Sequence, residues 1–106
     1  MAEQNPNIAI YFHVHLVSDS TGETLVGLMK ASTAQFRNAT ALEHIHALVR
    51  SEAQMEQVLE KINDKPGVVL YTVVNAERRR RLEEYCSKRK ISRICCSLRA
   101  IFTKVV

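Results

Sequence analysis

Residues 8–17 (IAIYFHVHLV) are followed at once by the small, polar residues 18–24 (SDSTGET), and this junction decides the fold. A nearly continuous apolar run that is rich in β-branched and aromatic residues and lacks Gly and Pro is typical of a strand covered on both faces. Residues 24–36 then carry a stripe at helical spacing, formed by Leu25, Leu28, Met29, Ser32 and Phe36. The sequence therefore predicts a central parallel strand, a tight loop and a helix.

The alternation of strand and helix continues along the chain. Residues 41–49 (ALEHIHALV), 67–74 (GVVLYTVV) and 92–97 are further predicted strands, and residues 51–63 and 76–90 are the intervening helices. Strands that alternate with helices imply right-handed βαβ crossovers. We therefore expect an α/β fold with a parallel sheet of about four strands and flanking helices, either Rossmann-like or flavodoxin-like.

The two later helices have recognisable ends and faces. Ser51 is the expected N-cap of the first of them. Their inner faces are predicted to carry Met55, Val58, Leu59, Ile62, Leu82, Tyr85 and Cys86. On the outer face of the last helix, i,i+4 spacing joins Glu77 with Arg81, Arg79 with Glu83, and Arg80 with Glu84. We therefore expect the arginine run to form a solvated, self-paired face.

The composition fits one soluble globular domain. The chain has 106 residues, 46% of them hydrophobic, and no apolar run approaches the roughly 20 residues that cross a bilayer. Residues 1–7 are polar, include Pro6 and lack the features of a signal peptide, so we expect a disordered leader there. The chain has three cysteines, Cys86, Cys95 and Cys96, all crowded at one end. This odd, clustered set favours reduced thiols over a disulfide framework. These features predict a cytoplasmic protein without a membrane partner.

The net charge of +4 is unevenly placed. Residues 1–84 hold 9 basic and 11 acidic side chains, whereas residues 85–106 hold 6 basic and no acidic side chains. A nucleic-acid-binding domain usually clusters its basic side chains on one face of the fold. A basic tail alone does not meet that description, so we expect no nucleic-acid partner.

The loop after the first strand carries the strongest chemical signal. In an open parallel sheet, ligands bind beyond the carboxyl ends of the strands, and this loop is expected there. Its candidate phosphate- or phosphothreonine-binding residues are Ser18, Asp19, Ser20, Thr21, Gly22, Glu23 and Thr24. Ser20 and Glu23 have the spacing of a capping box, which would start the helix at Thr21 and leave main-chain N–H groups free for an anion. Asp19 could orient a hydroxyl or help to hold Mg²⁺.

The same residues also allow a purely structural interpretation. Ser20 and Glu23 could merely cap a helix, and Gly22 could merely permit close packing. The loop matches neither the dinucleotide fingerprint nor the Walker P-loop, since it has one Gly and no Gly-Lys-Ser/Thr ending. The catalytic residues are therefore left unassigned.

Histidines and cysteines offer a second set of candidates. His13 with His15, and His44 with His46, lie two residues apart, so each pair shares one face of its strand. Four imidazoles could hold a metal ion, but packed or hydrogen-bonded strand histidines are the expectation, because the sequence shows no defined ligand cluster. Adjacent Cys95 and Cys96 are expected in the core, pointing to opposite faces. No metal site is predicted.

These motifs are similar to the opening of a known bacterial family. Residues 12–24 (FHVHLVSDSTGET) closely resemble the N-terminal part of the pyruvate, phosphate dikinase regulatory proteins and of their phosphoenolpyruvate synthase counterparts. The similarity continues through residues 43–44, 48–50, 66–72 and 81–86, and covers roughly residues 10–96.

The resemblance implies a bifunctional serine/threonine kinase and phosphorylase. Such an enzyme uses ADP to phosphorylate a threonine of the dikinase or synthase, and it removes that phosphate by attack of inorganic phosphate with release of pyrophosphate. The implied co-substrates are ADP and inorganic phosphate, with Mg²⁺ as a further candidate. The implied partner is the dikinase or the synthase.

The chain also departs from the family pattern. Family members are longer and carry a P-loop-like Gly-x-Ser-Arg-x-x-Lys-Thr-Pro segment in their C-terminal part, which this sequence lacks. Residues 8–97 then correspond to the N-terminal α/β domain, and residues 98–106 (LRAIFTKVV) form a tail unlike the family. We expect a truncated, frame-shifted or partial product that is inactive alone and binds no nucleotide tightly, with homo-oligomerisation left open. The alternative function is a non-catalytic module that binds a phosphopeptide or an anion.

Overall fold

The computed structural model describes residues 10–33 and 39–96. In chain order the elements are β1 (Ile10–Ser18), α1 (Glu23–Thr33), β2 (Ala39–His46), α2 (Glu52–Asp64), β3 (Gly67–Thr72), α3 (Ala76–Lys88) and β4 (Arg93–Cys95). The predicted leader at residues 1–7 and the tail at residues 98–106 lie outside the described residues. No helix within the described ranges is long and apolar enough to span a membrane.

The four strands form one parallel sheet in the order β2-β1-β3-β4. This confirms the expected α/β fold, and the order is that of the first four strands of the flavodoxin-like arrangement. The chain steps from β1 outward to β2 and then returns to β3 on the other side of β1. The strand order therefore reverses between β1 and β3, and their carboxyl ends flank the crevice in which such folds bind ligands.

The pairing of β1 with β3 requires glycine at the first position of β3. Ser18 lies opposite Thr72 and His13 lies opposite Gly67 in this register. A Cβ atom at Gly67 would collide with the main-chain carbonyl of His13. A larger residue at position 67 would push the amino end of β3 away from β1.

The central strand is buried on both faces, as its apolar run predicts. Val14 and Leu16 pack against Leu25 and Met29 of α1 on one face. The other face packs against α2 and α3, in a core formed by Val17, Val49, Met55, Val58, Leu59, Ile62, Val69, Tyr71, Val73, Leu82 and Cys86. The predicted inner faces of α2 and α3 are confirmed, with Tyr85 partly buried at the margin. Burial on both faces explains why β1 is a nearly continuous apolar run.

Three predicted strands are longer than the observed ones. β2 ends at His46 because the next N–H groups leave the sheet: Leu48 donates to the Ser20 carbonyl (2.9 Å) and Val49 to the Ser18 carbonyl (3.0 Å). β3 ends at Thr72 rather than at residue 74, and β4 spans three residues rather than 92–97, of which residue 97 is not described. Strand ends here depend on contacts between loops that are distant in sequence.

The first helix also differs from its predicted bounds. It runs over Glu23–Thr33, whereas the stripe pattern extended it to residue 36, which lies outside the described residues. Leu25 and Met29 are buried as predicted, but Leu28 is 38% exposed. Within α1, fewer positions of the predicted apolar stripe are therefore buried than the sequence pattern indicates.

The predicted ion pairs within α3 are wrong. Arg81 pairs with Glu52 and Glu56 of α2, and Arg78 lies 3.7 Å from Glu52. Glu83 instead accepts a hydrogen bond from the Tyr71 hydroxyl. Because α2 and α3 lie side by side on one face of the sheet, the carboxylates of α2 are within reach of the arginines. These partly exposed pairs contribute up to about 1 kcal/mol each.

Candidate functional site

A cavity lies at the carboxyl ends of β1 and β3, where the strand order reverses. Its volume is about 540 Å³. It is lined by residues 18–25, by residues 72–74 after β3, and by Arg79 and Cys96. All seven residues of the 18–24 loop predicted from the sequence therefore border one cavity.

Hydroxyl groups shape the inner end of the 18–24 loop. Ser18 is 1% exposed, and its Oγ accepts from the Ser20 main-chain N–H at 3.0 Å and from Thr72 Oγ1 at 3.2 Å. The Ser20 hydroxyl lies 3.1 Å from the same oxygen. Ser18 therefore holds the loop in place, while Thr21 and Thr24 are exposed. The exposed hydroxyls are the ones available to a ligand.

The predicted capping box is wrong. The helix begins at Glu23 rather than at Thr21, and the first helical hydrogen bond runs from the Val26 N–H to the Gly22 carbonyl at 3.0 Å. Gly22 thus occupies the N-cap position, and its φ of 81° lies in the left-handed region that favours glycine. A Cβ there would make only an ordinary 3.8 Å contact with Ser18 Cβ. Conformation rather than close packing is the reason for glycine at this position.

Asp19 connects the three loops at the carboxyl end of the sheet. Its Oδ2 accepts from the Val74 main-chain N–H at 2.7 Å, and its own N–H donates to the Thr72 carbonyl at 3.3 Å. Its carbonyl accepts from Arg50 Nε, in the loop before α2, at 2.9 Å. The structure shows no partner for the second carboxylate oxygen, Oδ1, among the described residues. Asp19 is half-buried, so this oxygen remains available at the cavity.

Arg79 is a cavity residue that the sequence analysis missed. It stands in the first turn of α3, which begins after the N-cap Asn75. Its Nη1 lies 3.4 Å from both the Val73 and the Val74 carbonyl oxygens. The i,i+4 spacing instead predicts a pair between Arg79 and Glu83 on the helix surface. The helix that follows β3 also starts at the strand-order reversal, where folds of this kind bind ligands. The position of Arg79 in the first turn of that helix could therefore have identified it as a cavity residue.

The four histidines form a second cluster, on the α2 side of the sheet. His13 Nδ1 lies 2.9 Å from His44 Nε2, and His15 Nδ1 lies 3.0 Å from His46 Nε2. The His15 and His44 rings are stacked, with centroids 4.8 Å apart. His15 Nε2 also lies 2.7 Å from the Lys65 carbonyl, which can only accept, so this nitrogen carries the proton. Neutral His15 then accepts at Nδ1 from the Nε2–H of His46.

Burial favours the uncharged form of three of the four histidines. Desolvation lowers the pKa of His15 and of His44, and it lowers the pKa of His46 to about 4, with smaller effects from neighbouring positive charges. Within residues 10–33 and 39–96, no three or more His, Cys, Asp or Glu side chains are grouped to hold a metal ion. Hydrogen-bonded strand histidines, as predicted, describe the cluster.

The cysteines are free thiols. Cys96 packs in the α1-side core, whereas Cys95 packs against the core on the other face. The prediction that they point to opposite faces is confirmed. Burial raises the pKa of Cys86, which keeps that thiol protonated and unreactive.

The parallel sheet and the cavity where its strand order reverses define a class of α/β proteins that bind ligands at that point. Within this class, residues 14–104 match the family model described as kinase/pyrophosphorylase, and the chain belongs to that family.

Relatives in this family carry the name pyruvate, phosphate dikinase regulatory protein. The chain is 52% identical over 86 residues to one from Maricaulis maris, which covers 81% of this chain and 31% of that relative. It is 54% identical over 83 residues to one from Hyphomonas neptunium, covering 78% and 30%, respectively. For one from Rhodopseudomonas palustris (strain TIE-1) the identity is 51% over 78 residues, covering 74% and 28%. The chain thus spans less than a third of the length of these relatives.

Proposed function

We propose that this chain is the N-terminal domain of a bifunctional regulator of pyruvate, phosphate dikinase. In the full-length enzyme, ADP phosphorylates a threonine of the dikinase, and inorganic phosphate removes that phosphate as pyrophosphate. The ADP site belongs to the P-loop-like segment of longer relatives, and the enzyme works in the cytoplasm. The N-terminal domain supplies the site for phosphate or for the phosphothreonine of the partner.

One observation carries this proposal: the whole 18–24 loop borders the cavity at the strand-order reversal. The exposed Thr24 lies in the first turn of α1, and the exposed Thr21 directly precedes the N-cap Gly22, beside main-chain N–H groups that have no helical acceptor. The positive end of the helix dipole favours an anion there. A cavity of about 540 Å³ also has room for a phosphorylated side chain together with part of its peptide.

The second candidate function is a non-catalytic module that binds a phosphopeptide. It is favoured by the same cavity, which the exposed Thr21 and Thr24 border. The two functions share the binding step and differ in whether phosphoryl transfer follows it.

The binding step can be tested on this chain. Backbone amide NMR shifts should be followed during titration with inorganic phosphate, with the peptide acetyl-Ala-Ala-phosphothreonine-Ala-Ala-amide, and with its unphosphorylated form. We expect the phosphorylated peptide to shift the amides of the 18–24 loop and to bind more tightly than the unphosphorylated one. If only amides outside the 18–24 loop shift, the loop does not bind the peptide and its role is structural.

The catalytic step requires a full-length relative. Valine at the position equivalent to Thr21 removes an exposed hydroxyl and keeps the shape of the side chain. We expect it to lower both phosphorylation and dephosphorylation of the dikinase at least tenfold, a loss of about 1.4 kcal/mol or more in transition-state stabilisation. The melting temperature should change little. Wild-type rates in this variant would show that the Thr21 hydroxyl takes no part in the reaction and would favour a structural role for the loop.

A further inference from the structure

We infer that Asp19 and Arg79 recognise the two chemical states of one threonine side chain. Asp19 accepts a hydrogen bond from the threonine hydroxyl, and Arg79 binds the phosphate once the hydroxyl is modified. This inference rests on the proposed function and adds the residues that distinguish the two states. A regulator that works in both directions must bind both forms of its target, and this cavity offers one group for each.

The two side chains are held on the same short segment after β3. Asp19 Oδ2 lies 2.7 Å from the Val74 N–H, and Arg79 Nη1 lies 3.4 Å from the Val74 carbonyl oxygen. Both side chains border the cavity. The Asp19 carboxylate and the Arg79 guanidinium thus contact the main chain of the same exposed residue, Val74, at the edge of the cavity.

The Asp19 carboxylate is suited to a hydroxyl donor. One of its oxygens is occupied by Val74, which fixes the orientation of the group. An ionised carboxylate only accepts hydrogen bonds. The remaining oxygen can therefore accept from a threonine hydroxyl, but it repels a phosphate dianion.

Arg79 is suited to the phosphate. Its two contacts with main-chain carbonyls are at the long end of the hydrogen-bond range, so they hold the guanidinium only weakly. The guanidinium has five N–H donors in a planar fork, and two of them can bind one phosphate in parallel. Among the described residues that border the cavity, Arg79 carries the positive charge, while Asp19 and Glu23 are acidic. A dianion that enters beside these carboxylates needs Arg79.

The test uses this chain, the two peptides named above and two charge-removing variants. Asp19→Asn keeps an amide oxygen that can accept from the Val74 N–H, so the loops stay joined while the charge is lost. We expect it to bind the phosphorylated peptide at least threefold more tightly and the unphosphorylated peptide more weakly. Arg79→Gln should bind the phosphorylated peptide at least tenfold more weakly and leave binding of the unphosphorylated peptide unchanged.

Matched controls separate local recognition from overall charge. Arg80→Gln and Asp64→Asn change the net charge in the same way at exposed residues that do not border the cavity. We expect both controls to bind the two peptides like the wild type. If they reproduce the shifts of Arg79→Gln and Asp19→Asn, the effect is general electrostatics and the inference is wrong.

Two further outcomes are distinguishable. Suppose that the wild type binds the phosphorylated peptide but Asp19→Asn binds both peptides like the wild type. Asp19 is then only a structural link between loops, and the inference fails while the proposed function stands. If the wild type binds neither peptide, both the proposed function and the inference are overturned.

Discussion

The Asp19 carboxylate accepts a hydrogen bond from the Val74 main-chain N–H at 2.7 Å and so joins the loops that follow β1 and β3. Asp19→Ala removes this bond, and we expect it to lower the free energy of unfolding by about 1 to 2 kcal/mol. Asp19→Asn, which retains an acceptor oxygen, should cost less than about 0.5 kcal/mol. Urea unfolding of the two variants measures the difference. Equal losses would mean that the charge, and not the link between loops, stabilises the fold.

Ser51 and Ser20 provide a second comparison, since the sequence suggests that both serines cap helices. Ser51 Oγ accepts from the Gln54 N–H at 3.1 Å, whereas Ser20 lies two residues before the N-cap of α1. We expect Ser51→Ala to cost about 1 kcal/mol of stability and Ser51→Gly only a few tenths. Ser20→Ala should cost less than Ser51→Ala. The order of the urea midpoints checks this, and a larger loss at Ser20 would contradict the observed start of α1.

Stability should fall in mild acid because burial favours the neutral form of His15, His44 and His46 in the fold. The pKa of His46 is lowered to about 4, whereas an unfolded histidine titrates near 6.5, so the unfolded chain binds protons first as the pH falls. The contribution of His46 is fully present above pH 6.5 and is lost between pH 6.5 and 4. We expect a loss of about 1 kcal/mol at pH 5, reduced from the full linkage value because the ring is partly exposed.

Urea unfolding at pH 7 and pH 5 measures this loss, and His46→Gln serves as the comparison. The glutamine amide can still donate to His15, but it does not titrate. Its stability should therefore vary less between the two pH values than that of the wild type. An identical pH dependence in the two proteins would contradict the assignment to His46.

The 106-residue chain should not transfer phosphate by itself. Phosphoryl transfer depends on a positioned phosphate cradle and metal, and these 106 residues include no P-loop-like segment to provide them. We expect no labelled phosphate on the dikinase after incubation with this chain and β-labelled ADP, and no tight ADP binding by calorimetry. A full-length relative is the positive control. Measurable ADP-dependent labelling by this chain alone would overturn the expectation.

The edge of the sheet at β4 should promote self-association. This strand is only three residues long, it pairs with β3 at the end of the strand order, and Ile94 is 48% exposed. Ile94→Lys should shift the sedimentation profile toward monomer and leave the melting temperature within a few degrees. Leu28→Lys, at an exposed apolar residue of α1, is the control and should not shift it. A wild-type chain that sediments as a monodisperse monomer would contradict this prediction.

The sequence predicted the elements better than it predicted their ends. Periodicity is local, so the burial of Met55 and Leu82 and the cap at Ser51 could be inferred from neighbouring residues. The end of β2 depends on Leu48, whose N–H bonds to the Ser20 carbonyl and whose φ of 57° takes the chain out of the strand. That contact joins segments far apart in sequence, and no local pattern encodes it.

At the candidate site, the sequence predicted the 18–24 loop but not Arg79. The 18–24 loop was found because its polar residues interrupt an apolar run at a predictable end of a strand. Arg79 was missed because its sequence neighbours offered the carboxylate of Glu83, whereas the fold turns Glu83 toward Tyr71. Residue spacing within one helix cannot reveal a carboxylate on a neighbouring helix. Arg81, for example, pairs with Glu56 of α2.

The central position of β1 has a consequence for how the protein folds. Its partners β2 and β3 both follow it in the chain, behind complete helices, so β1 can form no local hairpin. Each pairing must close a long loop, which slows folding relative to a helical bundle of the same size. During synthesis β1 leaves the ribosome before its partner strands, and its side chains on the face toward α2 and α3 stay uncovered until those elements emerge. The nascent chain is therefore most prone to aggregate, and most in need of a chaperone, during that interval.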